Sequence, residues 1–427
     1  MEENIHEQVE DNSPSIEQIL RPISNTFWLL GGSIIYPPKS FKTITIITRI
    51  LYTVIFLTNL ISNLLHITSI YKENELIQYI YLLNELIRYV LICYNIYYGV
   101  RLYEKWPKLM DRLKELDQKL EKEIPLNNGF IQIIQLKNVI KIIPNFIAFI
   151  ARPLILISSI RFLYVSDLNP IFSINIVLFF DLIMQSMINS FFFDIIVYVL
   201  YCRFQTINEL IGQLDELSNV QWITFKIRRI RELHADICDL ASMVNDIYSL
   251  YLLFCSASYF TMAVTTLFQV YMEIITEVYI IVLFEIVYAM QFFLVCWICT
   301  VACEESNKTG RIIHKIILNC KSVNLDKNEA SNQSSLEMLS ALDDLNSEQN
   351  FNSSSSHNLN YIVLENLLHK HLNQDCVRNE INDFSAQLQQ NRVAFTACNF
   401  FELNNVSLSC FVGMNFTYLV IFVQLYQ

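Results

Sequence analysis

NNVSLSCFVGMNFTYLVIFVQLYQ, residues Asn404 to Gln427, is the stretch from which the rest of the chain is best read. From Asn405 onward it is apolar and long enough to cross a bilayer, for which a helix needs roughly 20 residues. One of its faces is nevertheless not apolar. Positions three or four apart stack on one side of a helix. That spacing gathers Asn405, Ser409, Gly413, Thr417, Val420, Gln424 and Gln427 into a stripe of mostly small and polar residues. Two readings are open. Small residues and a buried amide are common where membrane helices pack on each other. The same stripe also suits the wall of a water-filled pore, because polarity in hydrocarbon is costly unless it meets protein or water.

The totals agree with a membrane setting. Of 427 residues, 53% are hydrophobic and only 17% charged, against roughly a quarter charged in ordinary soluble domains. Seven stretches read as spans, at about 43–67, 78–100, 138–160, 173–202, 247–272, 278–302 and 405–427. The third carries Pro144 and Pro153, either of which kinks a helix. The first twenty residues are acidic, with no basic start and no early apolar core, so no secretory leader is expected and the N-terminus is assigned to the cytosol.

Charge sets the orientation. With the N-terminus inside, the inner segments hold 25 of the 30 Lys and Arg residues, and the outer loops only Lys72 and Arg161. That bias follows the positive-inside rule and sends the C-terminus outside. A G-protein-coupled receptor runs the other way, and no Asp-Arg-Tyr occurs here. The three outer loops carry Glu73, Glu75, Asp167, Glu273 and Glu277 against those two cations, a field that concentrates cations at the outer mouth. The net charge of −11 is spread over tails and loops and implies no nucleic-acid partner.

The eleven cysteines avoid the outer loops, so free thiols are expected. Cys296 and Cys299 have CxxC spacing, but inside an apolar run with no second pair, which argues against a metal or redox site. His369 and His371 lack partners of ligand type. Nothing calls for a metal or a cofactor. The sequons at Asn307, Asn332, Asn352, Asn405 and Asn415 all fall in inferred cytoplasm or membrane, so none is expected to carry glycan. No nucleophile constellation or phosphate loop occurs, and the chain is not expected to be an enzyme.

Two further stretches have helical 3-4 spacing: Trp106, Leu109, Leu113, Leu116, Leu120, and Ile230, Leu233, Ile237, Leu240, Val244, Ile247. Such stripes need a helical partner, either in another subunit or in the same one. Residues 320–360 are rich in Ser and Asn without apolar periodicity, and read as a disordered cytoplasmic insertion.

The C-terminal text carries a resemblance. Thr417-Tyr418, five apolar residues and Gln424 resemble the TY-five hydrophobics-QF ending of insect gustatory receptors. The preceding Phe384-Ser385-Ala386-Gln387-Leu388 and Phe395 to Asn404 are similar to the same family, closest to its internal-sugar and broadly tuned branch. The motif region covers roughly the last tenth of the chain, and a looser similarity runs from Arg228 to Asn245. Departures are Leu425 for the usual Phe, Asn399 for a usual Gly, and Asn404 for a common acid. The resemblance implies an all-α, seven-span subunit of a tetrameric, ligand-gated cation channel in the plasma membrane of chemosensory neurons. Its last helix would line the pore, with Thr417, Tyr418, Val420, Gln424 and Leu425 as pore and gate residues. Its intracellular anchor, where four subunits meet, would include the second 3-4 stripe. The pore wall becomes the favoured reading of the polar stripe.

In that family a small-molecule tastant binds among the helices of each subunit, in a pocket opening outward. A sugar needs fixed donors, acceptors and aromatic faces. Asp181 with Gln185 on span four, and Tyr288 with Gln291 on span six, supply those types and are the binding candidates. Glu85 with Arg88, and Glu285, are further polar groups within spans. The organisation expected is a cytoplasmic tail (1–40), six spans with cytoplasmic extensions (41–319), the insertion (320–360), a helical anchor (361–404) and the pore helix (405–427). An odorant-receptor-type channel would share the architecture without the TY…Q ending. A transporter is the other alternative, although no paired broken helices occur.

Overall fold

The computed structural model describes residues 75–123, 170–216, 220–271, 286–315 and 376–426, together with single positions between 47 and 61. The tail 1–40, the third expected span 138–160, the insertion 320–360, Glu285, His369, His371 and Gln427 lie outside the described residues. The described chain is almost wholly helical. Helix α1 is Glu75–Glu121, α2 is Pro170–Gly212, and α3 is Val220–Tyr271. A 3-10 turn, Gln213–Glu216, follows α2. Helix α4 is Ile286–Lys315, α5 covers 376–390, and α6 is Asn405–Tyr426. A two-stranded antiparallel hairpin, β1 (Thr396–Ala397) and β2 (Phe401–Glu402), joins α5 to α6.

The length of α3 follows from what its sequence lacks, whereas α1 runs on through Gly99 and Pro107. Between Val220 and Tyr271 there is neither Gly nor Pro. Helix α2 has Pro at its first position and Gly at its last, where each suits a helix end. At about 1.5 Å per residue, 47 and 52 residues make α1 and α3 roughly 70 to 80 Å long. That is more than twice the roughly 30 Å of a hydrocarbon core. Charge marks which part can enter it. Eight charged residues lie between Lys226 and Asp246 of α3, and none between Ile247 and Tyr271.

Four described segments are long and apolar enough to cross a membrane: Asn189–Gly212, Trp222–Phe268, Ile286–Lys315 and Asn405–Gln424. Their flanks look like lipid contacts. Ile286, Met290, Phe293 and Trp297 form an exposed apolar stripe on α4, while Phe292, Val295, Cys296 and Cys299 are buried. Tyr79, Leu83, Leu86 and Val90 are similarly exposed on α1. Such contiguous patches are a liability in water and the expected solvent contact in a bilayer. No disulfide is found among the described cysteines.

The two 3-4 stripes find their partners inside the chain. Trp106, Leu109, Leu113, Leu116 and Leu120 are all buried, and so are Ile230, Leu233, Ile237, Leu240, Val244 and Ile247. The resemblance implies that the helix bearing the second stripe takes part in the contact between copies. The chain itself covers those side chains, so any contact between copies must use another face of α3.

The chain divides into two compact units. One comprises Met1–Val199, Leu240–Val301 and Ala394–Gln427, and the other Leu200–Asp239 and Ala302–Val393. In the second unit α5 is fastened to the charged part of α3. Arg228 and Arg231 reach Glu380 at 3.2 and 3.3 Å, Arg231 reaches Asp383 at 3.2 Å, and Gln387 Nε2 donates to the Arg231 carbonyl at 3.1 Å. Beneath these pairs His234 lies between the rings of Phe204 and Phe384, with centroids 5.5 and 5.7 Å away. Burial holds His234 down at about 4. Asn208 ties α2 to α4 in the same unit, donating to Glu305 Oε1 at 2.7 Å and accepting from Thr309 Oγ1 at 2.7 Å. The core of the first unit is aromatic, with Phe193 against Tyr248 and Phe395, and Trp106 against Phe192.

Candidate functional site

Helix α6 touches the rest of the chain along one side only. Phe411 packs against Phe292 at 4.9 Å, Phe401 at 5.5 Å and Phe260 at 6.2 Å, and Phe422 packs against Phe268 at 5.9 Å. Phe411, Asn415, Leu419, Phe422 and Val423 are the half-buried face. Asn405, Ser409, Gly413, Thr417, Val420 and Gln424 are all exposed. A Cβ added at Gly413 would meet nothing within 4 Å. The polar stripe therefore does not serve packing among the described residues of the chain.

Two hydroxyls on that stripe turn back onto the helix. Ser409 Oγ donates to the Asn405 carbonyl at 3.1 Å, and Thr417 Oγ1 to the Gly413 carbonyl at 3.0 Å. Each can still accept a bond from outside. Among the other expected gate residues, Tyr418 is partly committed. Its ring meets Phe260 at 5.4 Å, so it borders the open face rather than standing on it. Leu425 is helical, but its side chain lies outside the described residues.

The start of α6 is strongly determined. Asn404 is the N-cap, its Oδ1 accepting from the Ser407 amide at 2.9 Å, while Ser407 Oγ donates to the Glu402 carbonyl. Asn caps a helix about as well as Asp, so this departure from a common acid costs little. The Asn405 amide donates to Thr300 Oγ1 of α4 at 3.1 Å. In the hairpin before it, the Phe400 amide donates to the Ala397 carbonyl at 3.0 Å and the Leu403 amide to the Phe395 carbonyl at 2.8 Å. The two central turn residues, Cys398 and Asn399, have φ of 51° and 61°. Paired positive φ values match the twist of a tight hairpin. Asn tolerates that region, which explains how it replaces a Gly at 399, whereas Cys does so at a cost.

Asn245 of α3 holds the hairpin. Its Oδ1 accepts from the Thr396 amide at 2.7 Å, and its Nδ2 donates to Thr396 Oγ1 at 3.3 Å. Thr396 Oγ1 in turn donates to Asn399 Oδ1 at 3.1 Å.

A second polar cluster lies where α2, α3 and α4 meet in the first unit. Gln291 Nε2 donates to Asp194 Oδ2 at 2.8 Å, with both residues buried. Asp194 Oδ1 has no hydrogen-bond partner among the described residues. Tyr288 is buried against Tyr259, ring centroids 5.3 Å apart. Beside them, Tyr251 OH donates to the Ser186 carbonyl at 2.6 Å, and Ser190 Oγ lies 3.1 Å from Tyr251 OH and 3.3 Å from Tyr259 OH. Each hydroxyl has one hydrogen. The order consistent with that is Tyr259 to Ser190 to Tyr251 to the Ser186 carbonyl.

Of the expected binding residues, Tyr288 and Gln291 share this cluster. Asp181 and Gln185 lie on α2, but their side chains, like those of Glu85 and Arg88, are outside the described residues. The sequence reading missed Asp194, Ser190, Tyr251 and Tyr259. The signal for Asp194 was available, since a single acid in Phe191 to Leu200 breaks an otherwise uncharged run. Among the described residues no group of three or more metal-ligand side chains is found.

A sequence profile described as 7tm chemosensory receptor matches residues 20–339 and 358–427. The unmatched 340–357 falls within the Ser/Asn-rich stretch. The fold is similar to the insect olfactory receptor OR5 from Machilis hrabei in complex with eugenol, with TM-score 0.62 and 13% identity over 95% of this chain and 97% of that one. A second OR5 structure gives 0.59 and 12%, over 96% and 98%. At such identity the likeness is one of fold. No curated protein sequence matches the chain significantly. With a profile match over most of its length and a full-length match in fold, the chain belongs to the 7tm chemosensory receptor family, which is a receptor family and not a family of enzymes.

Proposed function

We propose that the chain is a gustatory-type receptor subunit, four of which form a ligand-gated, non-selective cation channel in the plasma membrane of chemosensory neurons. The observation that carries this reading is the open polar face of α6. Asn405, Ser409, Gly413, Thr417, Val420 and Gln424 turn away from their own subunit. In a bilayer such a face is costly against lipid. Four copies arranged around one axis supply each other and a column of water instead. The TY-five hydrophobics-Q ending supports the gustatory type. The multi-pass orientation with the N-terminus inside and the C-terminus outside rests on the Lys and Arg bias.

Gln424 and Leu425 are the gate in this reading, with Thr417, Tyr418 and Val420 along the conduit. A ring of Leu425 closes by dewetting. The tastant binds in the outer half of each subunit, with Asp181, Gln185, Tyr288 and Gln291 as its polar contacts, and favours a state in which the α6 helices splay. Its effect is limited by its differential affinity for the two states. A sugar such as fructose is the first candidate. An odorant-type channel is the second reading, favoured by the fold match to OR5, one structure of which is in complex with eugenol. Homo- and heterotetramers both fit this architecture.

The test is current recorded from a heterologous cell given a ligand panel that begins with fructose and includes phenolic odorants. Ligand-evoked cation current that survives blockade of G-protein signalling is expected. Responses that vanish under that blockade would end the channel reading.

A further inference from the structure

The hairpin between α5 and α6 runs directly into the base of α6 and is held by α3. Three observations converge there. First, Asn245 is tied to Thr396 by two hydrogen bonds, one to the backbone amide and one to the hydroxyl. It sits at the very edge of the uncharged part of α3, which begins at Ile247. Second, the turn is tight and internally braced. Thr396 Oγ1 also accepts the Asn399 amide at 3.3 Å, and Cys398 and Asn399 hold left-handed backbone. Such conformations persist where surrounding structure over-determines them, and they cluster at switch regions. Third, the hairpin runs without slack into α6, because Ser407 reaches back to Glu402 and to Asn404 Oδ1.

The ring contacts between α6 and its neighbours are apolar and can slide. The Asn245–Thr396 bonds are directional and cannot. The same α3 carries Tyr251 and Tyr259 in the buried polar cluster, two and four turns further along. A displacement of α3 therefore has two routes to α6, the Phe260 and Phe268 ring contacts and the Asn245 bonds to the hairpin at its base, and only the second is directional.

We propose that Asn245 is a positioning residue for gating, whose grip on Thr396 converts movement of α3 into movement of the pore helix. The inference rests on the channel reading. Breaking the grip uncouples the two helices. Asn245→Ala raises the half-maximal ligand concentration about tenfold, the effect of losing hydrogen bonds of ordinary strength. Single-channel conductance stays unchanged, since Asn245 does not line the conduit. A merely structural role would instead lower the number of channels at the surface without moving the concentration dependence.

The experiment uses the full chain in a heterologous cell, with whole-cell and single-channel recording on the ligand that opens the wild type and with surface labelling. Thr396→Val is the companion variant. It keeps the amide bond to Asn245, deletes the hydroxyl, and shifts the response in the same direction by less. Hydrogen exchange on purified protein adds a readout apart from current, with the Thr396 amide protected in the wild type and fast-exchanging in Asn245→Ala. If both variants conduct with wild-type concentration dependence, or if the Thr396 amide is equally protected in Asn245→Ala, the inference is overturned and the channel reading stands. A wild type that carries no current for any ligand overturns the channel reading, and this inference with it.

Discussion

Gln291 and Asp194 are joined side chain to side chain over 2.8 Å, linking α4 to α2 where both are buried. One carboxyl oxygen takes the amide proton and the other has no partner among the described residues. The arrangement needs an acceptor at Oδ2 and makes little visible use of a full charge. Asp194→Asn keeps the acceptor and the shape. Asp194→Ala strands the Gln291 N–H, a loss of about 1–3 kcal/mol for an unsatisfied buried group. Thermal unfolding of the detergent-solubilised protein should therefore rank Asn near the wild type and Ala clearly below. An Asn variant as damaged as the Ala variant would mean that the ionised carboxylate itself is required.

His234 gives the second unit a pH dependence of known sign. Its imidazole is wedged between Phe204 and Phe384 and held down at about 4 by burial, from an ordinary 6.5. Above pH 6.5 the ring is neutral in folded and unfolded chains alike, and its contribution is intact. Between 6.5 and 4 the unfolded chain takes up the proton and the folded one does not, so stability falls as pH falls. From pH 6.5 to 5 that single group removes about 2 kcal/mol. His234→Leu should flatten this slope in melting curves recorded at pH 7 and pH 5. If the slope is unchanged, other groups are responsible.

Why some of this was legible in the sequence and some was not comes down to separation along the chain. The stripes at Trp106 to Leu120 and Ile230 to Ile247 are local, because helical spacing alone puts those residues on one face. That they are covered by the same subunit is a tertiary fact which spacing does not encode. The α6 stripe was legible for the same reason, and its positions are exposed together with the apolar Val406, Val412, Met414, Phe416 and Ile421 around them. Tyr288 and Gln291 were picked by chemistry and depth, and both are in the buried cluster. Asp194 was missed because its meaning lies in a residue 97 positions away. Asn245 and Thr396 are 151 apart, so nothing in either neighbourhood points to the other.

The ion pairs that fasten α5 to α3 differ in how much water screens them. Glu380 is only 12% exposed and meets both Arg228 and Arg231, whereas Asp383 is 66% exposed. Exposed pairs contribute about 0–1 kcal/mol and fade with salt. Half-buried, shared ones resist screening better. A double-mutant cycle on Arg231→Ala with Glu380→Gln should give the larger coupling, and one with Asp383→Asn the smaller. Raising salt from about 0.05 to 0.5 M should erase the second before the first. Equal couplings at both salts would show that exposure does not govern this clamp.

The open face of α6 permits a sharper separation of pore from packing. At Gly413 a side chain has free space within the subunit, so Gly413→Ala should fold and reach the surface normally, with some gain from the better helix former. Gly413→Trp should also reach the surface, because its Cβ meets nothing in its own chain and Gly413 is exposed, yet it should conduct poorly if four indoles are brought to one axis. If Gln424 is at the gate, as proposed, Gln424→Ala should change basal leak or ion selectivity at unchanged surface expression, since an amide is replaced by a methyl. Surface biotinylation alongside bi-ionic reversal potentials reads both effects. Normal conduction through Gly413→Trp together with an unaltered Gln424→Ala would return the stripe to helix packing, with contacts between copies covering it and no water column along it.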